Sequence, residues 1–411
     1  MKTQCLCANI TYSTLRGRPI LVRRLKLSNF RNYAGLDLCL GRGVTVVDGR
    51  NGQGKTNLLE AIYLMAIGRS SRGAADRQMV RSGAFEDFLA HAQVVGEAVT
   101  SSGGLSLQVD LSAGERIPGA SGEAWHEAQR VQKTFRVNGV PKRSSDFVGL
   151  LKAVMFAAED VDLLSGPPTL RRRYLDILTS QITPGFAREA QDYQRVLTQR
   201  NHLLKSIRER AAKESELEFW DVQLSIHAAR IIDARLRVMN ALDENMDPIH
   251  RELSGLNQTL SLKYSPSFET GHYEDVRDLS KMMLDGFREI RRREIGAGFC
   301  LIGPHRDDFS AKLDGMDVGS FASRGQARTA ILAMKLGEAQ LIGERVRDKP
   351  VMLLDDVMSE LDEDRRRHVF DRIRDYEQVI ITTAETDLSD VMGDLPVRRI
   401  SIDAGRVVAS G

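Results

Sequence analysis

The run Gly49-Arg50-Asn51-Gly52-Gln53-Gly54-Lys55-Thr56 constrains this 411-residue chain more than any other stretch. It fits G-x-x-x-x-G-K-[ST] in full. Before it lies GVTVV, β-branched and apolar; after it lies NLLEAIYLMAIG, where Leu58, Leu59, Ile62, Met65 and Ala66 recur at helical spacing until Gly68. A strand, a glycine-rich turn and a helix N-terminus in that order make an anion cradle. Glycines let backbone N–H groups curl inward, and the new helix presents its positive end. The whole loop, Gly49, Arg50, Asn51, Gly52, Gln53, Gly54, Lys55 and Thr56, is therefore predicted to hold ATP phosphates. Lys55 would reach the β- and γ-phosphates, and the Thr56 hydroxyl would ligate Mg²⁺. A chance glycine-rich turn would not explain the strand and helix on either side.

Two later stretches fit the same chemistry. VMLLDD predicts a buried strand ending in Asp355 and Asp356, at the sheet edge where a nucleotide's metal sits. Asp355 is predicted as a metal ligand with Thr56, and Asp356 as the group that orients or deprotonates the attacking water. An acid pair capping a strand end is the plainer alternative. SRGQARTAILAMKLGEA predicts a long amphipathic helix preceded by Ser323, with Gln326 in its first turn. A simple N-cap would explain Ser323 alone. The order phosphate loop, long insertion, Ser-x-Gly-Gln helix, acid strand, and then Ser359-Glu360-Leu361-Asp362, is similar to that of ABC-type ATPases. There the serine faces the γ-phosphate of a second subunit, so two copies would each complete the other's site.

Bulk properties narrow the partners. Lys and Arg number 58 against 56 Asp and Glu, a net charge of +2, which excludes coating nucleic acid by charge alone. An aromatic fraction of 6% argues against gripping single strands by base stacking and favours backbone contacts. Cys5, Cys7, Cys39 and Cys300 form no CxxC pair and are expected to be buried or incidental thiols of a reducing compartment. No apolar run is long enough to cross a bilayer, and the N-terminus lacks a secretory h-region; a cytoplasmic protein without membrane attachment is expected.

Along the chain, residues 22–47 and LSLQVDL read as strands, and Asn138-Gly139 as a hairpin turn. From Arg171 the sequence becomes charge-rich and helix-periodic. One stripe runs through Tyr193, Val196, Leu197, Leu203, Leu204 and Ile207, another through Trp220, Leu224, Ile231, Ile232, Leu236 and Met239. They predict two antiparallel helices of roughly 25 to 30 residues, about 40 Å long. The expected architecture is α/β: an ABC-type P-loop ATPase head with an inserted helical arm. The expected boundaries are residues 1–21 as an N-terminal extension, 22–168 as the first part of the head, 169–298 as the arm and 299–411 as the rest of the head.

LKLSNFRNY, GRNGQGKTNLLEAIYLMAIGRSSR, MFAAEDVDLLSGPPTLRRRYLD, GPHRDDF, SRGQARTAILAMKLGEA and LLDDVMSELDEDRR together resemble the RecF recombination-repair family, short-armed relatives of the SMC ATPases. The resemblance runs from about Leu21 to near the C-terminus. It implies an ATP-dependent DNA-binding protein of replication restart and the DNA-damage (SOS) response, acting on double-stranded DNA and single/double-strand junctions. It implies RecO and RecR as partners that help load RecA, an ATP-dependent homodimer, and a weak ATPase that governs dimerisation. It also places Arg31 and Asn32 near the nucleotide, and Thr382-Thr383 where many ABC ATPases carry a switch histidine. Glu159 stands nearest to a missing Q-loop glutamine. Residues 95–130 are longer than the family pattern.

Arg171–Arg173, Arg291–Arg293 and Arg365–Arg367 are candidate DNA contacts or merely solvated faces, and His305 a nucleotide contact or a loop brace. Two other functions compete. A transporter ATPase subunit would carry its Ser-Gly-Gln helix closer to the phosphate loop, without a helical arm between. An ATPase–nuclease of the overcoming-lysogeny type would need a metal-acid domain after Asp356.

Overall fold

The computed structural model describes residues 20–73, 75–86, 90–113, 131–346, 348–384 and 397–410. The expected N-terminal extension and much of the stretch from 95 to 130 lie outside them. In chain order come β1 (Leu21–Phe30), β2 (Tyr33–Cys39), β3 (Gly43–Asp48), α1 (Lys55–Ile67), β4 (His91–Thr100), β5 (Gly103–Ala113), β6 (Val131–Val137), β7 (Val140–Lys142) and β8 (Ala153–Ala157). There follow α2 (Pro168–Ile182), α3 (Phe186–Arg208), α4 (Leu217–Ser254), β9 (Leu260–Ser265), α5 (Val276–Ala297), β10 (Asp308–Leu313) and β11 (Met316–Asp317). The chain closes with α6 (Arg324–Val346), β12 (Val351–Asp355), α7 (Glu363–Ile373), β13 (Gln378–Thr383), β14 (Val397–Asp403) and β15 (Arg406–Ser410).

Two compact units result, one of Met1–Ala158, Glu252–Ser254 and Lys335–Gly411, the other of Glu159–Arg251 and Gly255–Met334. The first holds two sheets. One is antiparallel, in the order β2-β1-β4-β5-β6-β7; the other runs β15-β14-β3-β13-β12-β8 and is parallel except for the β14–β15 hairpin. Sequence pattern explains the difference. VMLLD and QVIITT are buried at every position, as strands covered on both faces must be. HAQVVGEAVT alternates, with one face to the core. Gln378 ties the sheets together: its side chain accepts from Val22 N–H and donates to the Val22 and Gly41 carbonyls at 2.8 and 2.9 Å. The parallel register sets Asp355 beside Thr382, and Thr383 beside Asp48, at one edge. Asn138 and Gly139 form the β6–β7 turn with φ of 50° and 78°, the geometry that Asn-Gly favours.

The second unit is built on helices. Phe186, Tyr193 and Leu197 of α3, Leu224, Ala228 and Ile231 of α4, and Met283 and Phe287 of α5 share one core with Cys300 and Ile302. Helix α3 has 23 residues and α4 has 38, so the second helix exceeds the length read from its stripe. It continues past Met239 and through Pro248 until Gly255 ends it in the left-handed region. Cys300 is a free thiol, and burial pushes its titration well above the usual range. Cys39 departs from the expectation of a free thiol: it is disulfide-bonded.

His305 is a brace in this unit. Its Nδ1 lies 2.6 Å from the Tyr193 hydroxyl and its Nε2 3.2 Å from the Cys300 carbonyl oxygen. Burial pulls its pKa down to about 4 from 6.5. The unfolded chain therefore takes up this proton first as pH falls. Stability from His305 is intact above about pH 6.5 and declines toward pH 4, by up to about 3 kcal/mol. Denaturant melts at pH 7.5 and 4.5 should show a steeper loss for the parent than for His305→Gln; equal slopes would contradict the assignment.

Candidate nucleotide site

The loop after β3 is shaped by two glycines that nothing else can replace. Gly49 has φ of 146°, and a Cβ there would lie 2.4 Å from the Ile402 carbonyl oxygen. Gly54 has φ of 116°, and its Cβ would lie 2.5 Å from Asn32 Nδ2. Lys55 opens α1 and is only 7% exposed. Its ammonium donates to the Gly49 carbonyl at 2.6 Å and the Arg50 carbonyl at 3.2 Å, with Asn51 Oδ1 at 3.5 Å. This positive charge is aimed along the loop.

At the neighbouring strand ends, Thr56 Oγ1 donates to Asp355 Oδ1 at 2.8 Å, although 299 positions separate them. Thr382 Oγ1 donates to the same oxygen at 2.7 Å. Asp356 turns into the left-handed region with φ of 53°. Its N–H bonds to the Thr382 carbonyl and lies 3.0 Å from the Thr382 hydroxyl. Ser359 Oγ donates to the Asp356 carbonyl at 2.7 Å and its carboxylate at 3.1 Å. Thr382, at the place of the expected switch residue, thus braces both aspartates, a role that sequence reasoning missed.

The donor set fits Mg²⁺ on a nucleotide. A hydroxyl and a carboxylate oxygen lie together, and among the described residues no group of three or more His, Cys, Asp or Glu is placed to hold a metal by itself. Mg²⁺ takes few protein ligands and fills its remaining positions with phosphate oxygens and water.

Arg31 and Asn32 sit in the β1–β2 turn against this loop. The Arg31 guanidinium grips buried Glu60 of α1 through two 2.8 Å bonds and donates to the Gln78 carbonyl. Glu60 was not foreseen; a carboxylate on a helix face gives no sign that it will be fully buried. Asn32 Nδ2 donates to the Gln53 carbonyl, and Asn57 Nδ2 donates to Asn32 Oδ1. Arg31, Asn32 and Asn57 line a cleft of about 830 Å³ with Arg72, Arg77 and Arg81.

Ser323 and Gln326 form a reciprocal capping box at the head of α6. Gln326 N–H donates to Ser323 Oγ at 3.3 Å, and Ser323 N–H to Gln326 Oε1 at 2.9 Å. The arginine runs are largely engaged. Arg171 makes two bonds to Asp308 at 2.6 and 2.8 Å, Arg172 donates to the Asp307 carbonyl, and Arg291 pairs with Asp221. Arg365 pairs with Asp362, and Arg367 with Glu363.

Residues 21–402 match the model of the RecF/RecN/SMC N terminal domain. A DNA replication and repair protein RecF of Chloroflexus aurantiacus is 38% identical over 396 residues, which cover 94% of this chain and 99% of that protein. The chain belongs to the RecF family. A Bacillus cereus RecF, also described as a DNA replication and repair protein, is 36% identical over 370 residues, 90% of this chain and 93% of the relative. Among solved structures, the recombination mediator protein RecF-ATP of the RecFOR pathway superposes with a TM-score of 0.83 at 30% identity, covering 97% of this chain and 100% of that one. An Smc head bound to the C-winged helix domain of ScpA, at 15% identity and a TM-score of 0.51, shares the fold. The architecture is thus the ABC-type ATPase head of the RecF and SMC proteins, as the motif order implied. Among the described residues, no helix is long and apolar enough to cross a membrane.

Proposed function

We propose that this protein is an ATP-dependent DNA-binding protein of recombinational repair and replication restart, whose ATP-bound form is a homodimer on gapped or junction DNA. It would act with RecO and RecR in loading RecA, and its ATPase would be slow and would time its release. The observation that carries this reading is the preassembled trio of Thr56, Asp355 and Thr382 beside the loop that Lys55 commands. Full-length similarity to RecF proteins, one of them solved with ATP, supports the rest.

In this reading Gly49–Thr56 wrap the phosphates, and Lys55 exchanges its bonds to the Gly49 and Arg50 carbonyls for phosphate oxygens. Thr56 and Asp355 would hold Mg²⁺, which would neutralise phosphate charge there. Asp356, its carboxylate steadied by Ser359, orients the attacking water and accepts its proton. An aspartate here reaches one methylene less far than a glutamate would, which fits slow turnover. Ser323 and Gln326 would meet the γ-phosphate bound by the other copy, with the capping box holding Ser323 in place. The arginines of the cleft beside Asn32 add positive charge near the loop.

Steady-state ATP turnover, with and without gapped DNA, tests this. DNA should stimulate the parent. Asp356→Asn should retain ATP binding and lose at least about a hundredfold in turnover, the lower end of the scale of one general base. An unchanged rate would remove Asp356 from its role, and indifference to DNA would count against the reading as a whole.

A further inference from the structure

A phosphate cradle works only if its N–H groups face the anion, so its carbonyls must be held facing out. In this loop four carbonyls, those of Gly49, Arg50, Gln53 and Gly54, have named holders. Lys55 takes those of Gly49 and Arg50. The Gly54 carbonyl accepts from the Tyr33 hydroxyl at 2.9 Å. The Gln53 carbonyl accepts from two sides: Asn32 Nδ2 at 2.8 Å and Gly405 N–H at 3.0 Å. Gly405 lies in the β14–β15 turn, close to the end of the chain. The same turn also takes the Gln53 side chain, whose Oε1 accepts from Ala404 N–H at 2.6 Å.

The turn is shaped for this contact. Ala404 and Gly405 both have positive φ, 45° and 73°. A Cβ on Gly405 would lie 2.7 Å from the Asn32 carbonyl oxygen, so glycine there permits the approach to the β1–β2 turn. Two residues before Ala404, near the end of β14, Ile402 closes on Gly49. Strand β14 pairs with β3 in parallel up to Ser401 and Asp48, so hairpin and loop are carried on adjacent strands.

We propose that Ala404 and Gly405, acting through Gln53, are positioning residues for the phosphate loop. The C-terminal hairpin and the β1–β2 turn form a clasp that fixes the Gln53–Gly54 peptide, and the clasp sets ATP affinity. None of these hairpin groups touches the reacting atoms; they act by holding the cradle open to the phosphates before ATP arrives. The link to ATP affinity rests on the proposed function, whereas the ordering of the loop does not.

The test has two arms. In the first, amide hydrogen exchange over residues 50–54 is measured on the full chain without nucleotide. Gln53→Ala and Gly405→Val should each speed exchange there, and Gln53→Glu, which keeps the acceptor for Ala404, should restore slow exchange. Unchanged exchange in Gln53→Ala would overturn the clasp. In the second arm, loss of one hydrogen bond should raise the ATP Kd and KM of Gln53→Ala about five- to tenfold. The Tm should stay at the parental value. Faster exchange with ATP affinity within twofold of the parent would overturn the positioning role. So would a fall in Tm that accounts for the affinity loss. A parent that binds no ATP would instead refute the proposed function, and the affinity claim with it, leaving the exchange result to decide the clasp.

Discussion

Lys55→Met should lose at least about a hundredfold in ATP affinity. Two effects add. The first is direct: a unit charge about 3 Å from a phosphate oxygen, at the effective dielectric of a partly buried site, is worth about 5 kcal/mol before desolvation is subtracted. If about 3 kcal/mol survives, the factor exceeds a hundred. The second effect concerns the empty loop. Lys55 Nζ satisfies the Gly49 and Arg50 carbonyls, and a thioether can satisfy neither. The variant therefore starts from a looser loop as well as a weaker attraction. Titration with a fluorescent ATP analogue reads the change, and a Kd within threefold of the parent would contradict the site.

Arg200→Met should cost the helical unit about 3 to 5 kcal/mol, the largest stability effect expected from one substitution here. Arg200, Asp221 and Glu294 are each fully buried. The guanidinium reaches Asp221 through Nε and Glu294 through a terminal nitrogen, both at 2.7 Å, and lies 4.4 Å over the Phe287 ring. It thereby joins α3, α4 and α5 across their shared core. Removing it leaves the Glu294 carboxylate buried with the Leu301 N–H and the Cys300 thiol but no positive charge, while Asp221 keeps Arg291. That loss should lower the unit's melting temperature by about 10 °C. Scanning calorimetry would show it, and a shift under 2 °C would mean that the network is idle.

The parts of the site that were legible in the sequence are those that local chemistry defines. The glycines, Lys55 and Thr56 stand in one run, and VMLLDD announces its strand and its acids in six residues. The hairpin at Asn138-Gly139 is equally local. What escaped is whatever depends on a distant partner. Arg200 follows Leu197 on a charge-rich helix and looks solvated; its carboxylates come from two other helices. Gln53 looks like a filler position of the loop pattern, yet its side chain meets Ala404, 351 positions away. Arg171–Arg173 show that neither reading of a basic run, DNA contact or solvated face, foresees an internal partner: Arg171 is paired with Asp308 inside its own unit. The extent of α4 was underread because its stripe was followed only to Met239, whereas the terminating signal is Gly255.

The central claim is that ATP is shared between two copies, the phosphate loop of one meeting Ser323 of the other. Sedimentation velocity of the parent, Lys55→Met and Ser323→Arg, each with and without ATP and Mg²⁺, tests it most directly. The account predicts a monomer that becomes a dimer only when ATP is present, with both variants remaining monomeric. A parent that binds ATP yet stays monomeric, or a dimer whose population ignores nucleotide, would contradict it.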